Sequence, residues 1–507
     1  HVVVLMLENR SFDNLLGWLY EGQGNVPPHN VPAPPSGQQP YYLGLEAQKY
    51  WNTNPASAHD TAPASDRYYA EKIKSGYTVP DPNPREVFPS FVEQMFGTES
   101  PSATQDPDMS GFVQNYAGLK KNPNPGAVME TYTPTQVPAI SKLGTGFAVC
   151  DRWFGSLPSE TWPNRSFVHA GTSFGRLNNC DGKYTENCVP NFTVYAGKRT
   201  IFDVLADRDV RWEVYQNAAV VGTLVSAQFW TVPQKLKWHA YHLSRLAGDL
   251  EEVRAPQYVF IEPSYAVKAN DQHPPHDVLL GDHLIDKVYA ILRASSVWHK
   301  TLLIVTHDEH GGCYDHVPPP KTAAPDSFKP QFEIGGMNPF ERLGPRVPAL
   351  VASPYVKAGT VFRAPAGGAE YDHTSILASL FDWVGLSRDS LGSNARIQAA
   401  PTVWPALTLD VGRTDCLKAL GVATADDHDE RAAAEAAIVQ VDHRKLVILA
   451  MGEADRILAE EAAGGVECSD EEWTERYERV VQEKLGELEE LRRRGELEAF
   501  LKGLAGE

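Results

Sequence analysis

The sequence predicts an α/β fold, with a central, mostly parallel sheet flanked by helices on both faces and a helical extension at the C-terminus. Three short apolar runs, at residues 1–7, 258–261 and 302–305, have the length of strands and little polar alternation. This pattern is typical of strands buried on both sides. Apolar residues recur at helical spacing over 278–294, between the second and third runs. A strand–helix–strand unit of this kind joins parallel strands.

The C-terminal part of the chain differs in composition from the rest. Beyond residue 410, Ala, Glu and Arg dominate, and residues 471–504 place aromatic and aliphatic side chains at helical spacing. We therefore expect one large domain over 1–410 and a helical extension over 411–507 that packs on it. The alternative is that these helices join two copies of the chain, so a homo-oligomer through them stays open.

Composition and charge narrow the classes of partner. The 507 residues are 42% hydrophobic, as in a globular protein with a large core, and the formal net charge is −19. Nucleic acid is therefore not expected as a partner, because phosphate backbones select basic surfaces. A small phosphorylated substrate stays open, since a local metal ion outweighs the global charge. No apolar run reaches the ~18 residues of a membrane span.

The six cysteines show no zinc-binding pattern. Cys180 and Cys188 flank a polar loop and would form a disulfide in an exported protein, whereas two free thiols are the alternative. The chain begins inside its first predicted strand, so a targeting segment is not excluded. Both a cytoplasmic and a secreted location therefore stay open.

Two acidic side chains follow the third apolar run directly. Asp308 and Glu309 come after 302–305 and precede Gly311 and Gly312, which let the backbone turn sharply. Because ligands gather at the carboxyl ends of parallel strands, this carboxylate pair is a candidate site for a hard divalent cation. The alternative is a solvated acidic turn.

The first strand ends in the same way. Glu8 and Asn9 follow it and offer a carboxylate and an amide oxygen, both suited to a hard cation. Asn9 or Ser11 could instead cap a helix that begins at Phe12. Both readings can hold, since strand-to-helix turns are where caps and ligands coincide.

Three further segments carry candidate catalytic groups. Thr161 is a candidate nucleophile and Arg165 a candidate phosphate contact, although a Thr before Pro-Asn is also an ordinary turn residue. His273, in the polar loop 270–277, is a candidate metal ligand or general acid, or simply a loop histidine. His373 precedes an apolar helix and is expected to face the cleft.

Together these segments resemble the phosphoesterase family of non-specific phospholipases C and bacterial acid phosphatases, within the alkaline-phosphatase-like superfamily. The resemblance covers most of residues 1–385 and is closer to the phospholipase C branch, as in Arg293–Ser295 and Phe340–Gly344. Five ordered motifs carry it: Glu8–Asp13, Thr161–Arg165, Ile261–Pro263 with Asn270–Pro274, Asp308–Gly312 with Asp315–Val317, and Asp372–Ser375.

The resemblance implies a phosphoesterase catalytic domain over 1–410 with an alkaline-phosphatase-like fold. It implies one divalent cation (Ca²⁺, Mg²⁺, Mn²⁺ or Zn²⁺) held by oxygen ligands. It makes Thr161 a nucleophile that also contacts the metal and forms a phospho-threonine intermediate. The other implied metal ligands are Glu8, Asn9, Asp308 and Glu309.

The resemblance also assigns the remaining site residues. Asn164 and Arg165 become phosphate contacts, His273 and His316 proton donors or substrate clamps, and His373 a further site histidine. The expected reaction is hydrolysis of a phosphodiester of the phospholipid type or of a phosphomonoester. The alternatives are a specialised biosynthetic enzyme acting on another metabolite with the same scaffold, and a non-catalytic metal-binding module.

Two departures from the family pattern concern the substrate side. Where the family carries Asp-Pro-Gly-His, residues 81–86 read Asp-Pro-Asn-Pro-Arg-Glu. Where the acid phosphatase branch carries a His-His pair, 230–233 read Trp-Thr-Val-Pro. These changes indicate an unusual substrate, a phosphate-binding role for Arg85, or reduced activity.

Overall fold

A computed structural model of the chain describes residues 1–53, 63–119, 122, 124–185, 194–195, 197–217, 225, 228–229, 240–265, 269–332, 338–422 and single positions between 476 and 499. Its strands, in chain order, are β1 (Val2–Leu7), β2 (His29–Val31), β3 (Trp51–Thr53), β4 (Arg67–Tyr69), β5 (Glu71–Lys72), β6 (Glu130–Thr131), β7 (Ala148–Cys150), β8 (Trp212–Gln216), β9 (Ala240–His242), β10 (Tyr258–Glu262), β11 (Leu302–His307), β12 (Ala349–Ala352) and β13 (Thr360–Phe362).

The α-helices of the described ranges connect these strands. They are α1 (Phe12–Leu16), α2 (Phe88–Phe96), α3 (Phe112–Ala117), α4 (Pro138–Gly146), α5 (Thr161–Ala170), α6 (Ile201–Ala206), α7 (Leu246–Asp249), α8 (Val278–Ala294), α9 (Thr374–Val384) and α10 (Ala395–Ala399).

Nine of the described strands form one sheet, in the order β2-β13-β7-β12-β11-β1-β10-β8-β9. Neighbouring strands are parallel except at β12, which is antiparallel to both β11 and β7. The three strands predicted from their apolar runs, β1, β10 and β11, are adjacent and buried along their whole length. The mostly parallel sheet is thus confirmed. It brings the carboxyl ends of β1, β10 and β11 to one edge.

Helices cover both faces of this sheet, as predicted. On one face, His169 of α5 contacts Phe260 of β10, with ring centroids 4.7 Å apart. On the other, Gly144 of α4 packs against Leu350 of β12. Through the strand register, Leu350 lies in the same row as Ile261. Because Ile261 follows Phe260 and successive strand residues point to opposite faces, α4 and α5 lie on opposite sides.

A second, smaller apolar core lies beside the segment that follows β11. It joins α2 and α3 to Tyr314, which lies seven residues beyond β11 and whose ring centroid is 5.2 Å from that of Phe112. Its packing places the start of α2 next to the edge where the central strands end.

Asp282 of α8 caps the start of α4. Its buried carboxylate accepts hydrogen bonds from the backbone N–H groups of Ala139 (2.7 Å) and Ile140 (2.8 Å), and α4 has no side-chain cap of its own. We expect Asp282→Ala to lower the free energy of unfolding by about 2 kcal/mol, because two buried donors lose their acceptor. Urea titration measures this loss, and an unchanged midpoint would contradict the capping role.

The same carboxyl makes stability depend on pH. Burial raises the pKa of Asp282 from 3.8 to about 7 in the folded protein. Between these values the folded state holds a proton that the unfolded chain has released, so this group stabilises less as pH rises. The difference in unfolding free energy between the wild type and Asp282→Asn should therefore shrink from pH 4 to pH 7.

The start of the predicted extension is not helical. Residues 411–422 contain no helix and run along α8, where Tyr289 donates a hydrogen bond to the carbonyl of Leu417 (2.5 Å) and the N–H of Leu420 donates to Asp286 (2.9 Å). Most described positions between 476 and 499 are helical. Residues 423–475 lie outside the described part, so the domain division at 410 stays a prediction.

Two other expectations concern location. Within the described residues, no helix is both long enough and apolar enough to cross a bilayer. Cys180 is disulfide-bonded, and its predicted partner Cys188 lies outside the described residues. Cys150, Cys313 and Cys416 are free thiols.

Candidate active site

The segments that follow β1 and β11 meet at the carboxyl edge of the sheet. The backbone N–H of Asn9 donates to Asp308 Oδ1 (3.2 Å), which also accepts from the N–H of Glu309 (2.8 Å). Asn9 has a left-handed backbone, with φ of 50°, which asparagine tolerates well. A Cβ at Gly311 would lie 2.1 Å from the Asn9 carbonyl oxygen. Only glycine allows this approach, so the two segments are held together by their backbones.

Thr161 lies beside this junction at the start of a helix. It is the first residue of α5, and its hydroxyl donates to Asn9 Oδ1 at 3.4 Å. The turn that was the alternative reading is therefore a helix N-terminus, where Pro163 is tolerated because the first turn needs no N–H. The hydroxyl lies where the positive end of the helix dipole favours negative charge.

Arg165, one turn further along α5, is fully buried behind the carboxylates. Its Nε donates to Asp308 Oδ2 (2.9 Å), and its guanidinium lies 3.5 Å from Glu262 at the end of β10. Its charge therefore neutralises Asp308 and Glu262. Here Arg165 supports a predicted metal ligand, and the phosphate contact expected of it stays a prediction.

Asn164 also faces the protein interior. Its side-chain oxygen accepts from the N–H of Leu157 (3.0 Å), and its Nδ2 donates to the carbonyls of Leu157, Ser159 and Glu160. The amide thus holds the loop 157–160 in front of Thr161. The structure does not bring it to the surface where a phosphate contact was expected.

Too little positive charge lies near the buried carboxyl groups of Glu8 and Glu309 to balance them. Burial, with the charges of Asp271 and Asp308, raises the pKa of Glu8 to about 8. Burial, with the charges of Glu86 and Asp308, raises the pKa of Glu309 well above its usual value. Glu309 Oε2 accepts from the N–H of Gly311 (2.6 Å), whereas its Oε1 has no hydrogen-bond partner.

These properties fit the chemistry of a hard cation. Several carboxyl groups lie close together with little positive charge to balance them, and one buried oxygen, Glu309 Oε1, has no hydrogen-bond partner. Among the described residues, however, no three His, Cys, Asp or Glu side chains are already arranged as a metal-binding cluster. The metal ligands Glu8, Asn9, Asp308, Glu309 and Thr161 therefore stay a proposal.

His273 lies in the same group of charges. Its Nδ1 is 2.6 Å from the carbonyl oxygen of Pro274, and its Nε2 is 3.3 Å from Glu86 Oε1. Its charge also acts on the carboxyl of Glu8. Glu86 is buried, only 3% exposed, immediately before α2. The structure thus brings His273 to the carboxylates through a partner that sequence reasoning missed.

His316 belongs to a neighbouring group. Its Nδ1 lies 2.7 Å from Asp13 Oδ2, and its ring stacks on Tyr50 with centroids 4.1 Å apart. Arg346 donates to Asp13 (2.8 Å) and to Asp315 (2.9 Å). Although burial opposes the shift, the charges of His316 and Arg346 lower the pKa of Asp13. Among the described residues, no hydrogen bond or ion pair joins His316 to Thr161 or to the carboxylates of Glu8, Asp308 and Glu309.

His373 supports the site from behind. It is fully buried, and its Nε2 lies 2.6 Å from the backbone carbonyl of Asp308. Burial lowers the pKa of His373, which keeps the ring neutral. This ring holds the Asp308 segment in place, and its expected position facing the cleft stays a prediction.

Comparison with known proteins identifies the family. Residues 1–387 match the phosphoesterase family. The chain belongs to this family. Non-specific phospholipase C3 of Arabidopsis thaliana is 37% identical over 396 residues, 75% of this chain and 68% of that protein. Phospholipase C B of Mycobacterium tuberculosis is 28% identical over 74% of this chain and 71% of that protein.

This phosphoesterase is therefore a hydrolase of ester bonds, of the phospholipase C type, as the resemblance implied. Non-specific phospholipase C6 of Arabidopsis thaliana is 34% identical over 82% of this chain and 73% of that protein. A solved structure described as a protein in the alkaline phosphatase superfamily, from Vibrio parahaemolyticus, is similar with a TM-score of 0.30 and 11% identity over 58% of this chain and 67% of that one. A similarity at that level does not bear on the mechanism.

Within the family pattern, the first departure now has a structural account. Arg85 is half-buried and donates to the carbonyl of Gly118 (2.8 Å), so its guanidinium already has a backbone acceptor. Glu86, at the end of the segment where the family histidine is absent, is the side chain that reaches His273. A phosphate-binding role for Arg85 stays a prediction. The second departure, at 230–233, lies outside the described residues.

Proposed function

We propose that this phosphoesterase cleaves a phospholipid-type phosphodiester through a phospho-threonine intermediate on Thr161, with one divalent cation. The observation that carries this proposal is the position of the Thr161 hydroxyl at the start of α5. It is hydrogen-bonded to Asn9, beside buried carboxyl groups with too little positive charge around them. The phospholipid class comes from relatives that are named phospholipases C.

The Thr161 hydroxyl releases its proton to solvent as Oγ forms the new bond to phosphorus, and the ester bond to the leaving alcohol breaks on the opposite side. Thr161 then carries the phosphoryl group, still esterified to the second alcohol of the diester. Asn9 Oδ1 orients the hydroxyl. The N-terminus of α5 favours the negative charge that builds up on the phosphoryl oxygens and on the Thr161 oxygen. Water then hydrolyses the phospho-threonine and restores the free hydroxyl.

The residues that would hold the cation are Glu8, Asn9, Asp308 and Glu309, with Thr161 beside them. A bound divalent cation lowers the pKa of the nucleophile and neutralises a phosphoryl oxygen. All-oxygen donors suit Ca²⁺, Mg²⁺ or Mn²⁺, and Zn²⁺ stays open. Arg165 holds Asp308 for this role, since Nε donates to the oxygen that faces away from Asn9.

We assign proton donation to the leaving alkoxide to His273. Its Nδ1 lies against a carbonyl oxygen, which is an acceptor only, so Nδ1 carries a hydrogen and the ring orientation is set. Glu86 then holds Nε2 on the side of Glu8 and Glu309. His316, oriented by Asp13, is the second candidate, at the neighbouring group.

Glu86→Gln tests this assignment. The substitution keeps the side-chain length and removes the carboxylate that pairs with His273, so we expect kcat to fall about 10- to 100-fold with a smaller change in KM. Steady-state kinetics over a pH range would show a shifted profile. Glu93→Gln, on the next turns of α2, is the matched control and should retain kcat. Equal kcat for Glu86→Gln and the wild type would contradict the role of the pair.

Glu86 also favours a second candidate function. A carboxylate in the segment that lacks the family histidine changes the charge next to the substrate, which suits a different metabolite on the same scaffold. A panel of phosphatidylcholine, a soluble phosphodiester, a phosphomonoester and a sulfate ester separates the two. Turnover of phosphatidylcholine above the others supports phospholipase activity. No turnover of any, with metal bound, would contradict it and favour the alternative.

A further inference from the structure

Two loops next to α5 are joined into one structural unit, which we call the rim (residues 172–185 and 325–332, with Lys198 packed on it). The Thr172 hydroxyl donates to Asp326 across them, and the side chain of Gln331 makes four further hydrogen bonds. Its Oε1 accepts from the N–H groups of Leu177 (3.1 Å) and Asn178 (3.2 Å), and its Nε2 donates to the carbonyls of Cys180 (2.7 Å) and Asp181 (2.9 Å). The disulfide at Cys180 constrains the same turn.

The rim is anchored to the site by its backbone and amide groups. The N–H of Asn179 donates to Glu160 Oε2 (2.8 Å), and Asn179 Oδ1 accepts from the N–H of Trp162 (3.0 Å). These two residues flank Thr161. Asn178 Oδ1 accepts from the N–H of Phe88 at the start of α2 (2.8 Å). The position of the rim relative to the nucleophile is therefore fixed by three hydrogen bonds.

The outer surface of the rim exposes aromatic rings with lysines over them. Tyr184 is 59% exposed and Phe328 is 45% exposed. The ammonium group of Lys183 lies 5.5 Å from the Tyr184 ring centroid, and that of Lys198 lies 5.4 Å from the Phe328 centroid. Neither ammonium group forms an ion pair with a described carboxylate. The Tyr184 hydroxyl donates to Glu99 Oε2 (2.9 Å), so one carboxylate shares this surface with the two lysines.

This combination is unusual on a chain with a net charge of −19. Exposed aromatic rings with a polar edge favour the headgroup region of a bilayer, and lysines beside them attract lipid phosphates and anionic headgroups. Val253, another fully exposed apolar side chain, precedes β10 and so lies at the opposite, amino-terminal edge. The rim is tied to the edge that holds Thr161 through Asn179, which hydrogen-bonds to Glu160 and Trp162.

We propose that the rim docks this enzyme on the surface of a phospholipid bilayer, with Tyr184 and Phe328 inserted among the headgroups and Lys183 and Lys198 against lipid phosphates. This inference rests on the proposed phospholipid substrate, because a diester bond at the headgroup is reached only when the site faces the bilayer. It adds the surface by which the bilayer is recognised.

Vesicle binding tests the proposal apart from catalysis. The Thr161→Ala protein leaves the lipid intact. With its rim unaltered, we expect this protein to sediment with vesicles of phosphatidylcholine and phosphatidylserine. The pair Tyr184→Ser and Phe328→Ser should weaken partitioning about tenfold or more, because buried apolar area is lost. The pair Lys183→Glu and Lys198→Glu should weaken it similarly at low salt and less at high salt. Val253→Ser is the matched control and should bind like the parent.

The rim variants are also assayed, with Thr161 intact, on a soluble monomeric phosphodiester. Unchanged kcat/KM there, with lower turnover on vesicles, supports docking by the rim. Wild-type partitioning by both variant pairs overturns it, and equal losses on the soluble substrate and on vesicles overturn it too, since the rim would then shape the site itself. Failure of the proposed function is distinct, because the parent enzyme with Thr161 would turn over neither substrate.

Discussion

Thr161→Ala abolishes turnover if Thr161 is the nucleophile. We expect kcat to fall roughly 10⁴-fold or more, because no other group takes the place of the oxygen that bonds to phosphorus. The free energy of unfolding should change little, since the Thr161 hydroxyl makes one long hydrogen bond, of 3.4 Å, to Asn9. Thr161→Ser keeps the hydroxyl and should retain measurable kcat. Acid quenching during turnover should trap the phosphoryl group, with the second alcohol of the diester still attached, on the peptide that contains residue 161 in both the wild type and Thr161→Ser.

Thr200→Ala is the matched control for this substitution. Thr200 is also a buried threonine at a helix start, where it forms a capping box with Asp203 of α6. Its loss should reduce stability by about 1 kcal/mol and leave kcat per folded molecule unchanged. Full activity in Thr161→Ala would overturn the nucleophile assignment, and absence of the phosphorylated peptide in the wild type would overturn the covalent intermediate.

Asp308→Asn should remove metal and activity together. The carboxylate accepts from Asn9 and Glu309 through Oδ1 and from Arg165 through Oδ2, so an amide places an N–H against a donor on either side. We expect a loss of more than about 10³ in kcat, because metal and nucleophile lose their common support. Unfolding free energy should fall by about 3 kcal/mol, since a buried ion pair is broken.

Metal analysis by mass spectrometry and urea titration measure the two effects of Asp308→Asn. Asp151→Asn is the matched control, because Asp151 forms a second buried pair, with Arg363 (2.5 Å). It should lose stability and keep metal content. Full activity of a metal-stripped wild type would contradict the metal, and metal retained at wild-type level in Asp308→Asn would contradict Asp308 as a ligand.

Local sequence patterns were enough to predict the central strands. β1, β10 and β11 are apolar runs without alternation, because they are covered on both faces, and α8 shows the spacing of a helix packed on one side. The candidate ligands could be predicted for the same reason. Each apolar run ends at a polar residue, and that residue is where the chain leaves the buried part of the sheet. Short strands such as β12 and β13 carry too few residues to show a period.

The roles of the supporting side chains could not be predicted in the same way. Arg165 and Asn164 have the chemistry of phosphate contacts, and their burial among carboxylates and carbonyls depends on which strands lie next to α5. Glu86 lies 187 positions before its partner His273 in the chain (273 − 86). No local pattern marks such a pair, because the contact exists only once the smaller core packs on the sheet edge.

The sequence by itself determined the fold class and the family. It also showed where acidic, amide and hydroxyl side chains follow buried strands or begin helices, because burial and backbone geometry leave local patterns of apolar spacing, glycines and caps. The tertiary structure alone decided which of these groups meet. It placed Thr161 against Asn9, Arg165 behind Asp308, His273 beside Glu86 and His316 on Asp13. Those pairings follow from strand order and helix packing, in which residues far apart in the chain become neighbours.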